Sequence, residues 1–427
     1  MREMKDSGID WIGKIPKDWN KKKIKYIAKI INGYSFKSEL YKEEGINVIR
    51  ITNVEDGKVN KINTRFYDVS YQDEIGEAML KLNDILMTLT GNVGYVGLVS
   101  EDILPAALNQ RVGCIRKFDK ELDNKFLFYC FNTKQFCDEA VLNSKGTAQL
   151  NMSTDWLASQ FVVYPNLEKQ KRIVEILDEK IKEIENVIEK TKQTIDDYKL
   201  YKQSIITKAV TKGLDENVEM KETGSEWIGK IPAHWNYLRI NRLFDYIDER
   251  NTDENAELLS LYTAIGVKPR SELEEKGNKA ITVMNYKIVK ENDIIVNKLL
   301  AWMGAIAYSD YNGVTSPDYD VYRAKKNSNV AKEYYNAYFR YTCFKGDCYK
   351  YGHGIMMMRW RTYPEEFLRI EVPNPPYEEQ IEIAEYLNKK CTEIDYLMES
   401  KEKLIEELEN YKKSLIYEYV TGKKEVI

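Results

Sequence analysis

Two long stretches of the chain carry apolar residues at alternating steps of four and three. In the first, Leu177, Ile181, Ile184, Ile188, Ile195, Tyr198, Ile205 and Ala209 keep this rhythm, with Thr191 and Lys202 as polar interruptions. In the second, Leu387, Cys391, Ile394, Met398, Ile405, Leu408, Leu415 and Tyr419 repeat it, and Lys401 and Lys412 fall where Thr191 and Lys202 stand. A helix gathers residues three and four apart onto one stripe, so each stretch predicts a long helix with a coiled-coil seam. Each runs for about 45 residues without Pro or Gly and stops at a glycine, Gly213 or Gly422, the residue that most easily takes the turn ending a helix. At 1.5 Å per residue such a helix spans ~67 Å, more than a domain of this size needs for its own core. A spacer is the natural reading; a coiled coil that only dimerises the protein is the alternative. Two matching seams in one chain most simply pack on each other, and an antiparallel pair would put two globular halves at opposite ends, related by a pseudo-two-fold axis.

The rest of the pattern is also written twice. Met4–Pro16 (MKDSGIDWIGKIP) recurs as Met220–Pro232 (MKETGSEWIGKIP), and Trp19 recurs as Trp235. Leu82-Asn83-Asp84-Ile85-Leu86 echoes Glu291-Asn292-Asp293-Ile294-Ile295. Phe161 to Pro165 and Phe367 to Pro373 read as strands stopped by proline, which cannot donate to a ladder. Helix starts follow at Glu168-Lys169-Gln170 and Glu378-Glu379-Gln380. The expected fold class is α+β: two globular α/β domains at 1–167 and 214–377, separated by long helices at 168–213 and 378–427 that pair as an antiparallel coiled coil.

Composition narrows the function without naming it. Charged residues make up 31% and apolar residues 43%, as in a globular protein. No run approaches the ~18 apolar residues of a membrane span, and the charged start lacks a signal-peptide core, so the expected location is cytoplasmic. The six cysteines form no CxxC pair, and only His234 and His353 could add imidazole ligands, so buried reduced thiols are expected rather than a zinc site. A net charge of −4 argues against a free-standing, non-specific DNA binder, whose affinity rests on phosphate neutralisation. It leaves room for local basic faces such as Lys21-Lys22-Lys23.

Enzyme motifs are sparse. Asn374-Pro375-Pro376-Tyr377 has the form by which amino-methyltransferases hold an extruded adenine, but the spacing of Gly91, Gly94 and Gly97 does not make a cofactor loop. Prolines that end a strand before a helix need only local geometry. There is no GxxxxGK[ST] phosphate loop; Asp293 with Lys298, or Pro317-Asp318 with Asp320, could be pressed into a metal-nuclease pattern, but lone carboxylates at such spacing are common on surfaces and are discounted. With two histidines, a Ser/His/Asp or Cys/His site is improbable.

The order of globular half, long helix, globular half and long helix, opened by Asp6 to Trp19 and again by Glu222 to Trp235, resembles the specificity subunit of type I restriction–modification systems. Leu108-Asn109-Gln110-Arg111-Val112 and Gly146-Thr147-Ala148-Gln149-Leu150-Asn151-Met152-Ser153 are similar to stretches of that family's target-recognition domains. The resemblance implies a non-catalytic DNA-recognition subunit in which each half reads one part of a bipartite double-stranded site. It further implies two copies of an adenine-N6 methyltransferase subunit on the helices, with S-adenosylmethionine bound by those partners and no cofactor here, and a motor–nuclease subunit that can join. The second half departs from the pattern, with Gly352 to Trp360 in place of the Gly-Thr-Ala-Gln stretch and Ala301-Trp302-Met303-Gly304 in place of Thr90 to Gly94.

Arg reads guanine, Asn or Gln reads adenine, and Lys, Ser, Thr and backbone amides hold phosphates. On that chemistry the candidate DNA contacts of the first half are Thr90, Gly91, Asn92, Asn109, Gln110, Arg111, Lys145, Gly146, Thr147, Gln149 and Asn151. Those of the second are Lys298, Trp302, Tyr319, His353, Arg359 and Arg361. The candidate spacer and subunit-binding seam is Leu177, Ile181, Ile184, Ile188, Ile195, Leu387, Ile394, Met398, Ile405 and Leu408. Two competing readings stay open: a stand-alone amino-methyltransferase built on Asn374 to Tyr377, and a coiled-coil scaffold with no DNA role.

Overall fold

The computed structural model describes residues 2–146, 150–263, 265–272, 282–340, 342–354 and 360–426. The chain forms two compact units, residues 1–191 with 403–427 and residues 192–402. The long helices are Leu167–Lys212 and Tyr377–Val420, and each is divided between the two units. No helix among the described residues is long and apolar enough to cross a membrane.

The first unit is built on a six-stranded sheet whose order is Ala28–Asn32, Val112–Lys117, Ile85–Thr88, Val96–Leu98, Gly57–Val59 and Val54–Glu55. Ile85–Thr88 is buried at every position, which is why it reads as an apolar run rather than an alternation. Asn83, at φ 65°, makes the left-handed turn into that strand, and Asp84 behind it takes a bidentate grip from Arg116 at 2.9 and 2.6 Å. Two core helices follow the sheet. Asp123 caps Asn124–Phe131 by accepting from two backbone amides, and Thr133 caps Lys134–Leu142.

The second unit repeats this frame. Its central sheet runs Phe244–Ile247, Tyr319–Ala324, Ile294–Asn297 and Ile306–Tyr308, and its core helices are Lys332–Arg340 and Thr342–Tyr351. Asn292 takes the left-handed turn at φ 68°, and Asp293 accepts two bonds from Arg323 at 2.7 Å each. A third repeated device joins each long helix to its unit. Gln170 is fully buried; its oxygen accepts from the Asp123 amide and its nitrogen donates to the Glu121 and Pro165 carbonyls. Gln380 does the same with the Ala331 amide and the Asn329 and Pro375 carbonyls.

One expected strand is corrected. Phe161–Tyr164 pairs with Asn20–Lys23 and stops before Pro165 as anticipated. In the second unit, however, Phe367 closes a short helix from Pro364, and the strand is Glu371–Asn374 with Pro373 inside it. That strand has one neighbour, Asn236–Arg239, so an amide-less residue fits on its unpaired side.

Within each unit the two long helices run antiparallel. In the first, Lys169 near the start of one helix pairs with Asp18, while Gly422 just past the end of the other lies against Pro16 and Trp19. Further along, Glu185 meets Lys412 at 3.3 Å. In the second unit Gly213, at the end of the first helix, lies against Trp235 and Glu379, and Lys202 meets Asp395 at 2.7 Å. Gly213 and Gly422 both adopt positive φ, and a side chain on Gly422 would strike Pro16 at 2.5 Å, so the helix ends there on steric as well as conformational grounds. Of the seam residues, Leu177, Ile184, Ile188, Ile195, Leu387 and Ile394 are buried, while Ile181, Met398, Ile405 and Leu408 are half-buried. Three of the four polar interruptions have partners among the described residues. Thr191 bonds back to the Val187 carbonyl, and Lys202 and Lys412 make the cross-helix ion pairs.

Candidate nucleic-acid interface

In the first unit, three separated stretches of candidate residues are stitched together through Leu89 to Gly91. The Leu89 amide donates to the Arg111 carbonyl at 3.0 Å, the Met152 amide to the Leu89 carbonyl at 2.8 Å, and the Gly91 amide to the Leu150 carbonyl at 3.0 Å. Lys145 and Asn151 exchange both backbone bonds, at 2.9 and 2.8 Å, and the Thr90 hydroxyl donates to the Asn151 amide oxygen at 2.7 Å. Asn92, Lys145, Gly146 and Asn151 are exposed around this junction, and Gly91 turns at φ 79°. Thr147 and Gln149 lie outside the described residues.

Asn109, Gln110 and Arg111 form the turn between strands Ala106–Leu108 and Val112–Lys117. The turn is held from every side. Asn109 donates its amide to the Ile49 carbonyl, Gln110 to the Tyr34 carbonyl, and the Val112 amide closes the turn on the Asn109 carbonyl at 2.9 Å. The Asn109 side chain is spent on the turn itself, its oxygen accepting from the Arg111 amide at 3.3 Å. Gln110 and Arg111 are exposed, and neither side chain has a hydrogen bond or ion pair among the described residues. Gly33 makes the packing possible, because a Cβ there would lie 2.1 Å from the Asn109 carbonyl.

The second unit repeats this backbone with different side chains. The Lys298 carbonyl accepts from the Thr362 amide at 3.0 Å, as Leu89 accepts from Met152, and His353 and Arg361 exchange both bonds as Lys145 and Asn151 do. Several of the chosen side chains have internal partners. Lys298 is mostly buried, 3.7 Å from Asp320, and the Trp302 indole donates to the Leu299 carbonyl and packs edge-on against Tyr349. Tyr319 is half-buried where it opens its strand. His353 is exposed, 3.6 Å from Glu366, and Arg361 is half-buried. Arg359 lies outside the described residues.

The isolated carboxylates of this unit mostly balance internal cations. Asp293 is held by Arg323, and Asp320 lies buried 2.7 Å from Lys287. Burial works against the Lys287 ammonium, yet Asp320 and the Tyr246 hydroxyl together hold its pKa above the ordinary lysine value. Asn374, first of the Asn-Pro-Pro-Tyr run, is buried in its strand, and its amide oxygen accepts from the Tyr335 hydroxyl at 2.8 Å and from Gln380 at 3.3 Å.

Gly33 and Ser316 escaped the sequence reading, and Asp318 entered it only as a discounted nuclease carboxylate. Matching Val112 with Tyr319, each opposite the last residue of the neighbouring strand, superposes Asn109-Gln110-Arg111 on Ser316-Pro317-Asp318. That match shifts the repeat by 207 residues, whereas Trp19 and Trp235 differ by 216 and Gln170 and Gln380 by 210, so no fixed spacing finds it.

Residues 16–196 match the model of the family described as the Type I restriction modification DNA specificity domain. The matched stretch lies almost wholly in the first unit, whose frame the second unit repeats. The specificity subunit of the type I restriction enzyme MjaVIII from Methanocaldococcus jannaschii is 32% identical over 182 residues, which spans 42% of this chain and 42% of that protein. A protein of the same organism, provisionally named the type I restriction enzyme MjaX specificity subunit, is 23% identical over 431 residues, covering 96% of this chain and 95% of its own length. The EcoBI specificity subunit of Escherichia coli is 24% identical over 251 residues, 57% of this chain and 50% of that one. Two solved chains share the fold across 96% of this one. One comes from work on complex assembly and conformational transition of the type I R-M system, with TM-score 0.70 and 14% identity over 99% of its length. The other is the HsdS subunit of Thermoanaerobacter tengcongensis, with TM-score 0.56 and 13% identity over 98% of its length. Along 96% of its length the chain is thus similar to a protein named as a type I restriction enzyme specificity subunit, and it shares the fold of the HsdS subunit.

Proposed function

We propose that this chain is the DNA-recognition subunit of a type I restriction–modification complex, each unit reading one part of a bipartite duplex site. One observation carries the reading: the same frame occurs twice, with the Asp–Arg grip, the glutamine clamp and the closing turn all repeated, while the side chains exposed on that frame differ. Two copies of one scaffold with different faces suit two different half-sites on one duplex. The described candidate contacts of the first unit are tied to one another by backbone hydrogen bonds, as direct reading requires. The chain itself performs no catalysis. Two adenine-N6 methyltransferase subunits assemble on the long helices and bring S-adenosylmethionine, and a motor–nuclease subunit joins the same assembly.

The test is an exchange. Residues 12–165 are replaced by the matching segment of a relative, and the hybrid is expressed with its cognate methyltransferase in a host whose methylated sites are then sequenced. The expected result is a site changed in one half only. A change in both halves at once, or no sequence-specific methylation from the parent complex, would overturn the reading.

A further inference from the structure

The turn that precedes the central strand is the same object in both units. In the first, the Val112 amide donates to the Asn109 carbonyl at 2.9 Å and the Arg111 amide to the Asn109 side chain at 3.3 Å. In the second, the Tyr319 amide donates to the Ser316 carbonyl at 2.9 Å and the Asp318 amide to the Ser316 hydroxyl at 3.3 Å. Asn109 and Ser316 thus do one job, fixing the turn by their own short side chains. The third turn residue differs: Arg111 in one unit and Asp318 in the other. Both are exposed, and neither side chain has a partner among the described residues. In that they contrast with Arg116, Arg323, Asp293 and Asp320, all drawn into ion pairs.

We infer that Arg111 and Asp318 are matched specificity residues, Arg111 reading a guanine in one half-site and Asp318 the amino group of a cytosine in the other. The inference rests on the DNA-recognition reading and goes beyond it by naming positions and bases. A base-reading side chain needs a backbone that does not move and no internal group competing for its hydrogen bonds. Each of these two positions sits on a turn closed by its own hydrogen bonds, with no internal partner for its side chain among the described residues. Arginine presents paired donors that match guanine O6 and N7 in the major groove. An exposed carboxylate on a DNA-facing turn is repelled by phosphate and can only accept, and the cytosine N4 amino group is the donor it suits. Asn109, Ser316 and Gly33 are positioning residues. Gly33 leaves room for the Asn109 carbonyl, where a Cβ would sit 2.1 Å away.

The full chain, assembled with its cognate methyltransferase, is challenged with a random duplex library, and the bound DNA is sequenced. Arg111→Ala should relax one guanine position in one half-site, and Asp318→Ala one cytosine position in the other. Discrimination at each should fall about ten- to a hundredfold while the other half-site stays unchanged. Gly33→Ala should blur the same position as Arg111→Ala. Because Arg111 and Asp318 are exposed, their variants should melt with the parent, so a changed motif is not misfolding. A lower affinity with an unchanged motif and a salt dependence reduced by about one phosphate contact would make Arg111 a backbone contact and overturn the inference. So would effects of both variants on one half-site, or relaxation at bases other than guanine and cytosine. If the parent complex selects no motif, the DNA-recognition reading itself falls.

Discussion

Replacing Gln170 by Met probes how a long helix is fastened to its unit. The substitution keeps the length of the side chain and removes its polar end. Gln170 is fully buried and makes three hydrogen bonds, at 2.8 Å from the Asp123 amide, 2.9 Å to the Glu121 carbonyl and 2.8 Å to the Pro165 carbonyl. Methionine leaves one amide and two carbonyls without these partners. A buried group left unsatisfied costs about 1–3 kcal/mol, with the lower figure for the Asp123 and Glu121 groups, which are only partly buried. The sum is roughly 3–5 kcal/mol, and burial of the thioether offsets about 1 kcal/mol of it. A net loss of about 3 kcal/mol in a unit of this size lowers the melting temperature by roughly 6–12 °C. Scanning calorimetry reads the shift, and hydrogen exchange at Asp123 reads the local opening. Gln170→Glu should be worse at neutral pH, because a carboxylate would then face two carbonyl oxygens, and it should recover partly on acidification. Gln380→Met makes the same test in the second unit, on the Ala331 amide. A loss below about 1 kcal/mol in both Met variants, with exchange at Asp123 unchanged, would refute the clamp.

Two further outcomes are expected. Burial pushes the Asp347 carboxyl up from 3.8 to about 6, and its Oδ2 has no hydrogen-bond partner among the described residues. The folded state therefore holds that proton where the unfolded chain has released it, so the contribution of Asp347 to stability falls as pH rises from about 4 to 6; Asp347→Asn should remove that contribution and stabilise the second unit relative to the parent by up to roughly 2–3 kcal/mol at pH 7, a difference that shrinks towards pH 4, seen in urea titrations of both proteins across pH. Asn374→Ala removes the acceptor for Tyr335 and Gln380 and should cost about 1–3 kcal/mol in stability, yet leave methyl transfer by the assembled complex intact; lost transfer with unchanged melting would instead make Asn374 part of an adenine site.

What the amino-acid order determined unaided was whatever depends on neighbours along the chain. The seam from Leu177 to Ala209, its copy from Leu387 to Tyr419 and the stops at Gly213 and Gly422 are local, because a helix turns periodicity directly into a face. The doubling of the chain was equally legible, since Met4–Pro16 and Met220–Pro232 need only be compared. Tertiary structure decided everything that depends on distant residues meeting. Only the fold shows that Leu89 to Gly91 ties Arg111 to Asn151, that Asp84 and Asp293 are answered by Arg116 and Arg323, or that the polar breaks Lys202 and Lys412 meet Asp395 and Glu185. It also reassigned Phe367 from strand to helix and admitted Pro373 to a strand, because a two-stranded pair leaves one side free of hydrogen bonds. The correspondence of Asp318 to Arg111 was hidden for a related reason. Insertions between the repeats change their spacing, and only the strand ladder, a pairing fixed by hydrogen bonds across the sheet, sets Asp318 on the place of Arg111.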